Sequence, residues 1–319
     1  MEKNTQATAK PTAYKKSVWK KAAARWQIYL LLILPVALLL IFNYAPMAGV
    51  VIAFKKFSLR KGIWDSPWVG FANFEKFFTS FKFPLILKNT IILSIYGFAA
   101  SFPLPIVLAL CLNAMRGRRY KKVIQTVTYL PHFISTVVMV GLLFSVLSNR
   151  SGLYGALYTG MTGEIGPNIL GNPKSFRHLY VWSDVWKNTG YAAVIYIAAL
   201  AGVDVSLHQS AEIDGASRFQ RMIYIDLPTI MPSISILLIL EVGKILSVGA
   251  ERVLLMQNTL NMQYSEVIST YVYKMGIASG ASNDYSFSTA VGLFNSVVNF
   301  ILLIVTNKIS DKISGNAIF

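Results

Sequence analysis

Glu241 and Lys244 stand three residues apart in a stretch, 229–248, that is otherwise dominated by apolar side chains. On a helix that spacing puts both on one face. Ionisable groups inside hydrocarbon need a partner or a water-filled path. Glu241 lies roughly 12 residues into the apolar run, about 18 Å at ~1.5 Å per residue, near the middle of a ~30 Å core. Two readings follow: a mutually neutralising pair packed between helices, or two charges lining a path and touching whatever passes. In a later apolar run Ser288, Gly292, Asn295 and Asn299 recur at i, i+4, i+7 and i+11. Small residues at that spacing suit helix packing, while two amides that each need several hydrogen bonds favour a pathway wall. Trp182, Asp184, Trp186, Lys187, Asn188 and Tyr191 form a third group. An interfacial aromatic belt accounts for the rings; a sugar-like ring stacked on Trp186, with Asn188 or Asp184 accepting its hydroxyls, is the sharper reading. Glu251 is expected to complete an acidic rim.

No residue set points to catalysis. Cys111 is the single cysteine, so no intrachain disulfide or cysteine-based metal site is possible, and His132, His178 and His208 carry no ligand spacing. Core or surface roles are expected for all three. No glycine-rich phosphate loop of the G-x-x-x-x-G-K-[ST] or G-x-G-x-x-G kind follows a strand pattern, so the chain is expected to bind no nucleotide or other cofactor itself.

The stretch 206–232, SLHQSAEIDGASRFQRMIYIDLPTIMP, is polar and doubly charged yet lies between the apolar runs 192–203 and 230–240. It is therefore a loop at a membrane face. Ser206 suits the N-cap of a short helix through Ile213, Asp214-Gly215 signals a turn, and residues 216–225 suit a second helix that Pro228 stops. Phe219, Met222 and Ile223 make an apolar stripe at i, i+3 and i+4 that wants a groove.

The order of residue types in this loop resembles the cytoplasmic EAA loop of ABC-importer permeases. Gln209, Ser210 and Ala211 occupy the EAA positions; Asp214, Gly215 and Ala216 the core; Ile225, Leu227 and Pro228 the closing motif. Gln209 stands where the family carries Glu and cannot make the same charge-assisted contact. YAPMAGVVIAFKKF and WVGFANFEKFF in 44–78, and YLPHFIS in 129–135, resemble the LplB-type sugar permeases of the same family. The resemblance implies a type I importer permease: one of two related permease subunits, served by a solute-binding protein carrying an oligosaccharide. It also implies two cytoplasmic ATPase subunits, which would hold ATP and Mg and dock on the coupling loop, 205–228.

The elements that must position these groups are membrane spans. With 319 residues, 54% hydrophobic, 14% charged and a mean hydropathy of +0.51, the chain is too apolar for a soluble protein of this size. The net charge of +16 comes from Lys and Arg that flank apolar runs instead of interleaving with aromatics on one face, which suits a bilayer and excludes nucleic acid. An all-α polytopic fold with six spans is expected, at 28–54, 90–115 (bent at Pro103 and Pro105), 123–147 (kinked at Pro131), 180–202, 229–248 and 287–306. The aromatic-rich 55–88, the Gly- and Asn-rich 148–178 and 251–285 are expected as external loops. The chain reads as a basic tail 1–26, one transmembrane domain 27–309, and a tail 310–319. Basic residues number 16 on the side of the termini against 12 opposite, which favours both termini inside; the resemblance implies the cytoplasmic side of a bacterial inner membrane. Readings from other classes are a membrane enzyme, which would need convergent titratable groups, and a secondary transporter, which would need inverted repeats.

Overall fold

The computed structural model describes residues 26–280 and 283–314. Of the expected tails, 1–26 and 310–319, residues 1–25 and 315–319 lie outside the described residues, while 310–314 continue the last helix. The described part is helical, with only two isolated bridges, Lys55 with Trp68 and Ser58 with Gly62, as extended pairing.

Residues up to Val51 form one compact unit and residues from Ile52 onward a second. The first holds most of α1 (Tyr29–Phe54), which is long and apolar enough to cross a bilayer. Pro35 stands inside it, and a π turn, Leu40–Tyr44, and a 3₁₀ stretch, Ala45–Phe54, follow.

The second unit carries the rest. α2 (Phe83–Ala114) is one span-length helix despite Pro103 and Pro105, because Phe102 keeps helical backbone and donates its N–H to Phe98 O. α3 (Arg118–Phe133) and α4 (Thr136–Leu147) meet at 103°. The kink expected at Pro131 is thus a near-right-angle break. Pro131 holds a 3₁₀ turn, Ile134 turns extended, and Ser135 caps α4 by accepting from Val138 N. α5 (Ser175–Leu200) and α6 (Val205–Ile213) meet at 80°. α7 (Arg218–Val242) and α9 (Tyr285–Ser314) are further span-length helices, and the short α8 (Ala250–Met256) lies between them. Four helices among the described residues are long and apolar enough to span, or six spans if each bent pair is one.

Two regions expected as external loops are packed structure. Residues 148–178 contain the helix Leu153–Thr162. In 251–285, Val253, Met256, Val267, Ile268 and Tyr271 are all buried. The apolar runs of 251–285 are short, so it reads as loop, yet its buried residues pack beside α2, α5 and α9, while the helix 153–162 stays mostly exposed. Phe77 is likewise a core residue and not a belt residue, ringed by Phe83, Phe287 and Phe294 at centroid distances of 4.9, 6.2 and 5.7 Å.

Where α3 crosses α5, only glycine fits. A Cβ on Gly190 would lie 2.1 Å from the backbone oxygen of Thr128.

Candidate functional site

The apolar run that begins α7 ends sooner than its composition suggests. The helix stops at Val242, and residues 243–249 form turns and extended chain. Glu241 therefore sits at the end of α7 and not in the middle of a longer span. Gly243 lets this end approach α9 closely, since a Cβ there would meet Leu303 at 2.6 Å. The backbone released by the break finds side-chain partners. Leu246 N–H donates to Asn299 Oδ1 at 3.1 Å, Asn299 Nδ2 donates to Ser247 Oγ at 3.0 Å, and Ser269 Oγ donates to Val248 O at 2.7 Å. Irregular backbone at membrane depth needs such internal partners.

The break opens one wall of a cavity of about 700 Å³ between α2, α5 and the end of α7. Glu241 and Lys244 line it as an ion pair at 2.9 Å, with 48% and 63% of their side chains accessible. In this chain the pair is not enclosed between helices: both groups line the cavity and about half or more of each side chain is exposed.

Across from them runs a directional polar chain. His132 Nδ1–H donates to Asn188 Oδ1 at 3.0 Å, Asn188 Nδ2 donates to Asp184 Oδ1 at 2.7 Å, and Arg252 Nη1 donates to the same carboxylate. The His132 ring stacks on Tyr191 at 3.9 Å with the planes 1° apart, and the Arg252 guanidinium lies 3.9 Å from the Tyr180 ring centre. Asp184, Asn188, Tyr191 and Ile195 share the cavity face of α5 at i, i+4, i+7 and i+11. The cavity thus presents Lys244 and Arg252 against Glu241 and Asp184, with aromatic rings between amide and charged groups.

Three expected path residues do not line this cavity. Trp186 is on another face of α5, one turn from Trp182, and both are more than half exposed on the helix exterior, where a belt residue belongs. Asn299 is buried and holds the break, so it positions the wall without forming it. Asn295 has its Oδ1 buried with no partner. Glu251 is exposed at the start of α8 and also stands outside the cavity lining, so no acidic rim forms there. His132 and Arg252 were missed because their partners are distant in the chain, 56 and 68 residues away. The one local signal for His132 was its place in YLPHFIS.

The coupling loop lies at the other ends of α5 and α7. Asp204, not Ser206, caps α6, accepting from Ser206 N at 2.9 Å; contacts with Ser206 hold its carboxyl below the usual range. The turn at Asp214-Gly215 has Gly215 at φ +79°, and Ala216 N closes it on Ala211 O at 2.8 Å. This left-handed residue with a 6→1 bond is the helix stop that glycine permits. Ser217 and Gln220 then form a reciprocal capping box, at 3.3 and 2.7 Å, which starts α7.

Pro228 does not stop this helix. A π turn, Met222–Asp226, precedes it, with Leu227 N bonded to Met222 O. The wider turn relieves the clash between the proline ring and the preceding carbonyl, so α7 runs on. Asp226, nearly fully buried in the π turn, faces His208 Nε2 at 3.1 Å and accepts from Asn113 Nδ2 at 3.2 Å. Glu212 joins Arg116 at 3.3 Å and Arg221 at 3.1 Å. The expected stripe divides: Met222, with Leu227 of the closing motif, packs on the core of Ala109, Ala193 and Leu200, Ile223 is half-buried, and Phe219 stays 67% exposed. Ile213 and Tyr224 are exposed as well, as are Gln209 and Ser210.

Among the described residues no group of His, Cys, Asp or Glu could hold a metal ion.

Residues 101–315 match the family described as the binding-protein-dependent transport system inner membrane component. The chain is 43% identical to protein LplB of Bacillus subtilis (strain 168), over 97% of this chain and 96% of that protein. It is 40% identical to the polygalacturonan/rhamnogalacturonan transport system permease protein YteP of the same strain, over 92% of this chain and 90% of the relative. A solved bacterial ABC transporter involved in the import of the acidic polysaccharide alginate contains a chain of the same fold, with TM-score 0.84 and 35% identity, covering 94% of this chain and all of that one. A second structure, that alginate transporter in complex with an alginate pentasaccharide-bound periplasmic protein, superposes with TM-score 0.85 at 34% identity. The arrangement of spans, cavity and loop is thus that of a multi-pass ABC-importer permease, and the chain belongs to the family of binding-protein-dependent transport system inner membrane components.

Proposed function

We propose that the chain is a permease subunit importing an acidic, uronide-type oligosaccharide, and that the cavity bearing Glu241 and Lys244 is its half of the solute path. The observation that carries this reading is Lys244, a cation that lines the cavity, is 63% exposed and, among the described residues, has Glu241 as its one ion-pair partner. A solute carboxylate can take Glu241's place on Lys244, while Asp184 and Asn188 meet hydroxyls and Tyr191 offers a ring face. Arg252 is less available, being already engaged by Asp184 and Tyr180. The polygalacturonan/rhamnogalacturonan and alginate systems, 40% and 35% identical, are named for polymers of acidic sugars, which supports the assignment over the arabinooligosaccharide, diacetylchitobiose and lactose permeases matched at 25%, 28% and 30%.

A second related permease, as the family's arrangement implies, completes the path. The solute arrives on an external binding protein. Two ATPase subunits, holding ATP and Mg, dock on the coupling loop through the exposed Ile213, Phe219 and Tyr224. Gln209, Ser210 and Asp214 flank that surface, and Gly215 sets its turn. Both termini and this loop are cytoplasmic.

The test is solute uptake and substrate-stimulated ATPase activity of the assembled transporter with acidic and neutral oligosaccharides of equal length. Lys244→Met should lower transport of the acidic class and spare the neutral one. Equal rates for both classes in the wild type, unchanged by the substitution, would remove the basis for the assignment.

A further inference from the structure

A second recess, of about 380 Å³, lies between the first turns of α5 and the neighbouring face of α2, at the ends of these helices remote from the coupling loop. Its walls are Ile92, Tyr96, Lys174, Arg177, His178 and Tyr264. Three of the six are basic and none is acidic. No carboxylate pairs with Lys174, Arg177 or His178 among the described residues. In a chain where Glu266 is flanked by two lysines and Glu212 by two arginines, Lys174 and Arg177, gathered in one recess without a carboxylate among the described residues, need a different anion.

The side chains are held in place. Arg177 donates from Nη2 to Asn89 Oδ1 at 2.8 Å and lies 4.9 Å from the Tyr264 ring centre, while its Nε is buried with no partner. His178 Nδ1 meets the Tyr96 hydroxyl at 2.9 Å, and that oxygen accepts from Trp182 Nε1 at 2.8 Å, so the His178 Nε2 edge is the one left over. The chain beside the recess is apolar and uncovered. Ile91 and Ile95 on α2, and Trp182 and Trp186 on α5, are exposed at i, i+4 spacing, running from the recess toward the middle of the two helices. Tryptophan and tyrosine at such a level mark the bilayer interface, and basic recesses between spanning helices suit lipid headgroups.

We propose that this recess binds the phosphate of an anionic phospholipid headgroup, with Lys174, Arg177 and His178 as its donors and the Ile95–Trp182 surface under its acyl chains. A water-borne anion would satisfy the cations equally but would leave that apolar ledge unused. The site is separate from the solute cavity and does not depend on the substrate assigned there.

The experiment uses the purified full chain in detergent. Retention of added phosphatidylglycerol and phosphatidylcholine is compared by native mass spectrometry, and thermal stabilisation is recorded with each lipid and with inorganic phosphate alone. The expected result is preferential retention of phosphatidylglycerol, weakened about fivefold in Lys174→Gln and kept in Lys174→Arg. Both variants should elute and melt like the wild type without lipid, since Lys174 is exposed. Equal retention of the two lipids, or no loss in Lys174→Gln, overturns the site. Stabilisation by inorganic phosphate alone as large as that by phosphatidylglycerol overturns the lipid assignment.

Discussion

Asn295 and Asn299 occupy one stripe of α9, one turn apart, yet opposite outcomes are expected when each is replaced by leucine. Asn299 is buried and uses both ends of its amide on the broken segment after α7, accepting from Leu246 N–H and donating to Ser247 Oγ. Asn299→Leu leaves the Leu246 N–H buried without an acceptor, which costs about 1–3 kcal/mol. The lost bond to Ser247 adds roughly 0.6 kcal/mol, the average for a side-chain hydrogen bond within a membrane protein. A total of about 2–4 kcal/mol is therefore expected, together with loosening of the wall that carries Glu241 and Lys244. Asn295 already has its Oδ1 buried and unpaired. Replacing it removes an unsatisfied acceptor, so Asn295→Leu should be neutral or stabilising in the isolated chain. The assay is thermal or denaturant unfolding of both purified variants, paired with modification of a cysteine placed at Lys244 to report on the wall in a Cys111→Ser background. Equal destabilisation by the two substitutions would refute the reasoning, because it would show the stripe acting as one packing surface.

Three further outcomes follow from the geometry. Glu241→Leu with Lys244→Met should change melting little, because a pair this accessible contributes at most about 1 kcal/mol, while acidic-oligosaccharide uptake falls; unfolding of the double variant would place the pair in the packing. Gly215→Val puts a β-branched residue at φ +79°, a strain of about 1–2 kcal/mol or more, so ATPase co-purification should fall while membrane insertion survives; normal co-purification counts against the loop as docking site. Gly190→Leu forces a side chain into the Thr128 backbone at a Cβ distance of 2.1 Å, an overpacking of about 1–3 kcal/mol or more, and should lower the yield of folded protein far more than Gly141→Leu, where nothing lies within 4 Å.

How much the linear order revealed depended on the range of the interaction. The Gly215 turn, the helix that precedes it and the spans at α2, α5, α7 and α9 are set by local composition and were readable within a residue window. The Pro228 stop failed because a π turn, which no residue type announces, absorbed the proline. Pro131 was read in the right direction but too weakly, since the 103° bend also needed the capping hydroxyl of Ser135. The Glu241 and Lys244 pair was found by spacing alone, but not the end of the helix between them, because the segment after α7 is held by Asn299 and Ser269, tens of residues downstream. Trp186 was chosen as an aromatic near polar groups, but helical angle separates it from Asp184 and Asn188. His132 and Arg252 could not be placed at the cavity without the tertiary fold.

α7 joins the loop 205–228 to the cavity as one helix: Arg218 begins at the capping box and Glu241 ends on the wall. Its 25 residues make a lever about 37 Å long. Near one end sits the π turn, with Asp226 gripped by His208 and Asn113 from neighbouring helices. In the transport role proposed above, such a grip would serve as a fulcrum. With the short arm in the loop and the long arm in the solute path, a tilt of about 10° at the fulcrum carries the Glu241 end about 4 Å. Movement is magnified in that direction, and force is correspondingly diluted. A small displacement imposed on the loop thus becomes a shift on the scale of one hydroxyl-to-carboxylate contact at the wall.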